Sequence, residues 1–418
     1  MTGTTRPHRR RLALVVPEYR TPAYGGGGLA AVADFAIEAF TDPALSEDAR
    51  WDVRVVSVRT SRNAPQHRRL GAPSTWHRGP VTEERALGPV VVHDVGAHLG
   101  EVEPVRYLPR RVLTDLVADR DVALVVAGSP ALANVFHGTD VPVVLNVATL
   151  VEEERQAALA AGRGPTAAWR RLSTRVVQRL DVRGLRVADE VIALNPGMRD
   201  VLAGMTAAPV HLLPFGVDTA RFSAPERRAE SGPIVMLGRL DDERKNIGGL
   251  LEAYRLLRDQ HGVTRRLVLA GRNGLRAVDA GRLHALGLHE HVDVLASPEP
   301  RVVVELLRSA SVFTLASHEE GLGIVLLEAM ASGLPVVATD TRGARHVVQD
   351  GMTGMLVDTG EGMPERFAAA VALVLGDPAR ADRMGVAGRA HVEASFSVAA
   401  TRAQWRAVAQ RVAERSVR

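Results

Sequence analysis

The chain has 418 residues and no cysteine; 52 Lys and Arg face 48 Asp and Glu, a formal charge of +4, and 46% of the residues are hydrophobic. That is enough length and apolar content for two domains with full cores. It excludes a disulfide framework and thiolate metal sites, and so small a charge surplus gives no field for nucleic acid.

The basic tail Arg6 to Arg11 (RPHRRR) reads as a solvated end. Residues 12–16 (LALVV) are too short for a signal-peptide core and are expected to form the first strand. Gly25-Gly26-Gly27-Gly28 then opens a helix over 29–40. Glycines let backbone approach a ligand, and a helix start favours anions. The run Gly26 to Ala31 mimics a dinucleotide fingerprint, but the second strand, 52–58, ends in Ser57-Val58-Arg59-Thr60 without the acid such a site needs. Residues 60–88, rich in Arg, Pro, Gly and His, are expected to be a long loop. Further strands are predicted over 90–94, 123–127, 141–146 and 190–194, with helix across much of 151–186. His98 follows the 90–94 strand in a loop. Asp119-Arg120-Asp121 precedes a strand instead of following one, so it is read as a solvated helix end and not as a metal site. No apolar run approaches the ~20 residues of a membrane span. The amphipathic, basic stretch 169–180 is read as a domain helix with a wet face, with docking on an anionic membrane as the sharper reading.

The C-terminal half carries the chemistry. A strand over 234–237 leads into Gly238-Arg239-Leu240-Asp241-Asp242-Glu243-Arg244-Lys245-Asn246 and a helix over 247–257. Lys245 is the single lysine of the chain. A compact ammonium beside the planar guanidinium of Arg239 suits one anion gripped by both. Residues 311–316 form a strand, followed by Glu319-Glu320-Gly321-Leu322-Gly323, a helix carrying Glu328, the helix stop Gly333, Pro335, and a strand over 334–339. Such strand–loop–helix–strand units build parallel sheets that bind ligands at the strand C-terminal ends. Two carboxylates around a helix start suit a ligand with hydroxyls to grip and a phosphate to receive backbone N–H groups.

These motifs, with the strand at 267–271, Pro214-Phe215-Gly216-Val217-Asp218 with Phe222, and Asp350-Gly351-Met352-Thr353-Gly354, resemble retaining glycosyltransferases of family 4. The resemblance is specific over the C-terminal half and looser before it. It implies the GT-B fold, α/β with two Rossmann-like doubly wound domains: residues 1–214 for the acceptor, 215–394 for the donor, and a last segment, 395–418, crossing back to the first domain. It implies metal-independent transfer, without a cofactor, of a hexosyl-type sugar from a nucleotide-diphosphate sugar to an acceptor hydroxyl, with UDP as the favoured base. The implied catalytic residues are Arg239, Lys245, Glu320 and His98. The implied donor contacts are Gly27, Gly28, Gly238, Arg239, Lys245, Glu320, Gly321, Leu322, Gly323 and Glu328.

The chain departs from that family in two places. Ala148 and Thr149 stand where many relatives carry a His-Asp pair, which leaves His98 and Asn146 as candidates for its task. Arg342 and His346 stand where relatives carry glycine and glutamate, which is expected to change the charge beside the donor sugar. The acceptor, whether small molecule, lipid or glycan, is expected on the loops 19–28, 60–88 and 95–110. The expected compartment is the cytosol, with room for peripheral contact at the inner membrane face. An epimerase or phosphorylase on the same fold, or a non-catalytic nucleotide-sugar binder, are the rival readings.

Overall fold

The computed structural model describes residues 9–20, 28–46, 49–88, 90–155, 165–226 and 231–415. They form two compact units. One comprises the described residues up to Phe215 together with those from Arg402 on; the other is Gly216–Thr401.

The first unit is built on an eight-stranded sheet. Its strands are β1 (Arg11–Pro17), β2 (Asp52–Val58), β3 (Thr82–Leu87), β4 (Val90–Val95), β5 (Val122–Ala127), β6 (Val143–Val147), β7 (Glu190–Ala193) and β8 (Val210–Leu212). They lie in the order β3-β4-β2-β1-β5-β6-β7-β8, parallel throughout except for the β3–β4 pair. β5 and β6 are buried at every position, as expected of apolar runs covered on both faces. The strand order reverses between β1 and β5.

The second unit has six parallel strands: β9 (Ile234–Arg239), β10 (Leu267–Arg272), β11 (Val292–Ala296), β12 (Val312–Leu315), β13 (Val336–Thr339) and β14 (Gly354–Val357). Their order is β11-β10-β9-β12-β13-β14, so the reversal falls between β9 and β12. β9 and β10 approach closely at their ends. A Cβ on Gly271 would lie 1.6 Å from the Gly238 carbonyl oxygen, so only glycine fits there.

Two expectations need correction. The region 60–88 is not all loop: Thr82–Leu87 pairs antiparallel with β4 in full register. Its sequence, TEERAL, is polar on both faces, so no apolar alternation betrays it, and its charges suit an exposed sheet edge. The Asp119–Asp121 triplet is not a solvated end. Asp119 pairs with Arg54 at 2.8 Å, Arg120 with Asp52 at 2.6 Å, and the Asp121 carboxylate accepts the Arg11 N–H at 2.7 Å. It ties together the starts of β1, β2 and β5. In the helix Pro165–Leu185, Leu172 lies outward while Thr174, Val177 and Asp181 face inward, where the Asp181 carboxylate accepts the N–H groups of Ala131 and Val151. Among the described residues no helix is long and apolar enough to cross a membrane.

The last helix, Val398–Arg415, begins in the second unit and from Arg402 packs on the first. Trp405 is fully buried there, donates its indole N–H to the Pro214 carbonyl at 3.1 Å, and sits edge-on to Phe35. Arg415 reaches the buried Glu190 carboxylate at 3.1 Å.

The Gly238–Gly271 approach makes a direct prediction. Gly271→Ala should force β9 and β10 apart and lower stability by about 3 kcal/mol or more. Chemical denaturation reads this; a loss under about 1 kcal/mol would show that the strand ends relax freely.

Candidate active site

Parallel strands send their loops to one edge, and loops from neighbouring strands at the reversal point meet there. The loop after β9 and the loop after β12 are such a pair. The β9 loop is braced from within. Asp242 begins a short 3-10 turn, Glu243–Lys245, by accepting the Arg244 N–H at 3.1 Å. Its carboxylate also binds the guanidinium of Arg244, at 2.9 Å, and that of Arg239. Burial acts to raise the Asp242 pKa, but the two arginines hold it below the usual range. Asn246 follows in the left-handed region (φ 49°), where its side chain caps the helix Ile247–His261.

The two loops are then fastened together. Asn246 donates its side-chain N–H to the Ala316 carbonyl at 3.1 Å, and the His318 N–H reaches the Arg244 carbonyl at 2.8 Å. Arg244 pairs with Glu319 at 3.0 Å. Lys245 Nζ lies 2.6 Å from Glu320 Oε1, and the Ser317 hydroxyl donates to that same oxygen at 2.6 Å. The lysine stem runs over Gly238, where a Cβ would sit 3.4 Å from Lys245 Cε. From the other side, the Gly343 N–H binds the Glu320 carbonyl at 3.0 Å; a Cβ on Gly343 would lie 2.6 Å from that oxygen.

The helix Ile324–Ala331 starts from Gly323, in the left-handed region (φ 77°), with no side chain to cap it. Its first N–H groups therefore stay open to an anion, unlike those of the helix capped by Asn246. Leu322 is buried beneath the turn. Glu328 sits on this helix, and burial pushes its carboxyl up to about 7, with only Arg221 opposing. Among the described residues its carboxylate accepts no hydrogen bond.

The second unit thus brings Gly238, Arg239, Lys245, Glu320, Gly321, Leu322, Gly323 and Glu328 onto two adjoining loops and one helix. The candidates of the first unit are placed separately. Gly28 starts the helix Gly28–Thr41, while Gly27 lies outside the described residues. His98 is exposed on the turn after β4. Asn146, on β6, is fully buried with neither amide atom partnered. His346 does not add charge: its ring packs edge-on against Phe396, and burial lowers its pKa, leaving a neutral imidazole. Asp242, Asn246, Ser317 and Gly343 escaped the sequence reading. Asp242 and Asn246 could have been found as cap residues bracketing a turn; nothing local marks the other two.

The glycosyl transferases group 1 profile matches residues 219–391. The chain is 33% identical over 276 residues to a D-inositol 3-phosphate glycosyltransferase from Nocardia farcinica, covering 62% of this chain and 59% of that protein. The second unit's two loops and helix thus lie within a segment that is similar to glycosyl transferases of group 1. Matches to several curated relatives span about half of their length. Two solved structures share the whole two-unit architecture, the GT-B fold. Sucrose-phosphate synthase from Thermosynechococcus elongatus superposes with a TM-score of 0.68 at 21% identity, over 97% of this chain and 99% of that one. Anabaena HepE in complex with UDP-glucose superposes with a TM-score of 0.64 at 16% identity, over 97% and 98%. Glu320 and Glu328 both lie within the matched segment.

A carboxyl whose folded pKa is raised costs stability once pH exceeds its unfolded value. The cost grows from about pH 4.5 and is complete above about pH 7. Glu328→Gln removes it. The variant should match the parent near pH 4 and exceed it at pH 8, by up to about 3 kcal/mol. Melting curves across that range decide; a difference independent of pH would mean that Glu328 is not strained by burial.

Proposed function

We propose that the chain is a retaining glycosyltransferase that moves a hexosyl group from a nucleoside-diphosphate sugar, with UDP favoured, to an acceptor hydroxyl. The observation that carries this reading is the Lys245–Glu320 ion pair at the strand reversal, beside an uncapped helix start. The donor belongs to the second unit and the acceptor to the first. The UDP-glucose held by HepE, on the same fold, supports the choice of donor.

Each catalytic cation already has an anionic partner: Asp242 holds Arg239, and Glu320 holds Lys245. A diphosphate arriving at the Gly323 helix start competes for both. Lys245 turns to the phosphates, and Glu320, still fixed by Ser317 and by its own backbone, accepts hydrogen bonds from the sugar hydroxyls. Glu328 has no competing partner and accepts the ribose hydroxyls. As the glycosidic bond breaks, negative charge builds on the leaving diphosphate. Preorganised cations and open helix N–H groups stabilise that charge at no reorganisation cost. Same-face attack lets the departing phosphate oxygen take the acceptor proton. No protein base is then required, which accommodates Ala148 and Thr149 in place of the His-Asp pair.

Thermal shifts with UDP, GDP, ADP and dTDP, each with and without EDTA, test the donor class. A nucleotide at 100 times its Kd stabilises by about 2.7 kcal/mol. UDP should stand out, with EDTA making no difference; no shift from any nucleotide would remove the donor site. Lys245→Ala should lower kcat for donor consumption by about 100-fold, equivalent to about 2.7 kcal/mol of transition-state stabilisation. Nucleotide binding should suffer less, and unchanged turnover would sink the assignment.

A further inference from the structure

Among the described residues of the first unit, one cation has nothing to pair it. All three guanidinium nitrogens of Arg110 are buried, and none has a hydrogen-bond partner. Four residues earlier, at the end of a short helix, Arg106 donates to the Thr60 carbonyl, while its Nε is likewise buried and unpartnered. Both belong to the segment between β4 and the helix Arg111–Val117, at the C-terminal edge of the sheet. The surrounding loops fix that position. His67 accepts the Ala97 N–H, just past β4, at 2.9 Å, and its other nitrogen lies 2.9 Å from the Ser61 carbonyl oxygen, just past β2. Burial first, and then the charges of Arg106 and Arg110, hold His67 down at about 4, so it remains a neutral part of the scaffold.

The nearby carboxylates are committed elsewhere. Glu18 is paired with Arg59 and accepts the N–H groups of Thr60 and Ser61. Asp94 binds Arg85 at 2.6 Å, Glu101 binds the backbone of Leu70 and Gly71, and Glu103 binds Arg155. Among the described residues, the buried guanidinium of Arg110 is left without a counter-ion. Burial lowers its pKa to about 10, which still leaves it charged at neutral pH. A buried, unpaired cation is costly, and folds do not keep one without return. Its planar fork matches an oxyanion.

We propose that Arg110, with Arg106 beside it, is an anion site of the first unit that binds a phosphate group carried by the acceptor. This rests on the transferase reading above and names its second substrate as a phosphorylated molecule. The phosphate anchors the acceptor away from the transferred sugar, and the reaction leaves it unchanged. The phosphate belongs either to a soluble sugar or polyol phosphate or to a lipid headgroup.

The test starts from enzyme saturated with UDP, which fills the donor phosphate site, followed by titration with inorganic phosphate by calorimetry. Wild type should bind, and Arg110→Met should bind at least tenfold more weakly with a melting temperature equal to or above the parent's. If Arg110→Met fails to fold, Arg110→Lys keeps the charge without the fork and should still weaken phosphate several-fold. Wild type that ignores phosphate, or variants that bind it like the parent, would overturn the proposal. The UDP shift, recorded on the same samples, reports the donor site alone; if UDP does not bind, phosphate titration of the free enzyme and of Arg110→Met still decides on Arg110.

Two further arms identify the source of the phosphate. Glucose 6-phosphate and glycerol 3-phosphate are compared with glucose and glycerol as acceptors, and vesicles of phosphatidic acid in phosphatidylcholine are compared with phosphatidylcholine alone. A preference for the phosphorylated member that Arg110→Met abolishes supports the site and names its source. Equal behaviour of the phosphorylated and plain partners in both arms counts against it.

Discussion

Parallel pairing at a reversal of strand order is the constraint on which this site depends. β9 and β12 are neighbours in the sheet but stand far apart in the chain, separated by β10, β11 and three helices. Both loops must leave the sheet at the same edge, so Lys245 and Glu320 meet although 75 residues separate them. The close approach of Gly271 to Gly238, and the Asn246 bond to Ala316, convert that general rule into a fixed geometry. A site assembled in this way is held by backbone and caps, and its charged side chains are left available for exchange.

The charges are arranged for such an exchange. Arg239 and Arg244 share Asp242, Arg244 also holds Glu319, and Lys245 holds Glu320, in a chain of alternating sign. Half-buried ion pairs of this kind add little net stability, because desolvation offsets much of the attraction. What they provide is order: each cation stands in place before an anionic ligand arrives. The ligand replaces one carboxylate partner by another anion, so each cation keeps an anionic partner throughout. Glu328 is the exception, since it lacks a partner and its burial is strained. Hydroxyl donors from a ligand would relieve that strain, which couples binding at this position to the ionisation of the carboxyl.

Much of this was legible in the sequence because it rests on local signals. Gly333 adopts φ 72° and ends its helix with the Leu334 N–H reaching back to the Ala329 carbonyl, as a glycine followed by Leu-Pro suggests. A single lysine among so many arginines pointed to Lys245, and the spacing of Glu320 and Glu328 was read directly. What escaped depends on partners distant in sequence. Gly343 is required by the Glu320 carbonyl across a neighbouring loop, and β3 exists only because β4 offers it hydrogen bonds. His346 looked like a change of charge, but its packing against Phe396 makes it an apolar filler. No pattern within a short window contains such information.

The first unit shows the same principle in reverse. Its arginines and carboxylates nearly all find one another: Arg120 takes Asp52 and Asp119, Arg59 takes Glu18, and Arg85 takes Asp94. Against so complete a pairing, the groups left over carry the information. Asn146 buries an amide with neither atom satisfied, and Arg110 buries a whole guanidinium. Each forfeits solvation that folding alone does not return. If the first unit receives the acceptor, as proposed, unsatisfied polar groups of this kind are where a ligand would complete the structure, and they carry more weight than the exposed His98, whose position costs the fold nothing. Under the proposed reading, Ala148 and Thr149 in place of the His-Asp pair would mean a different way of holding the acceptor, with the donor loops of the second unit unchanged.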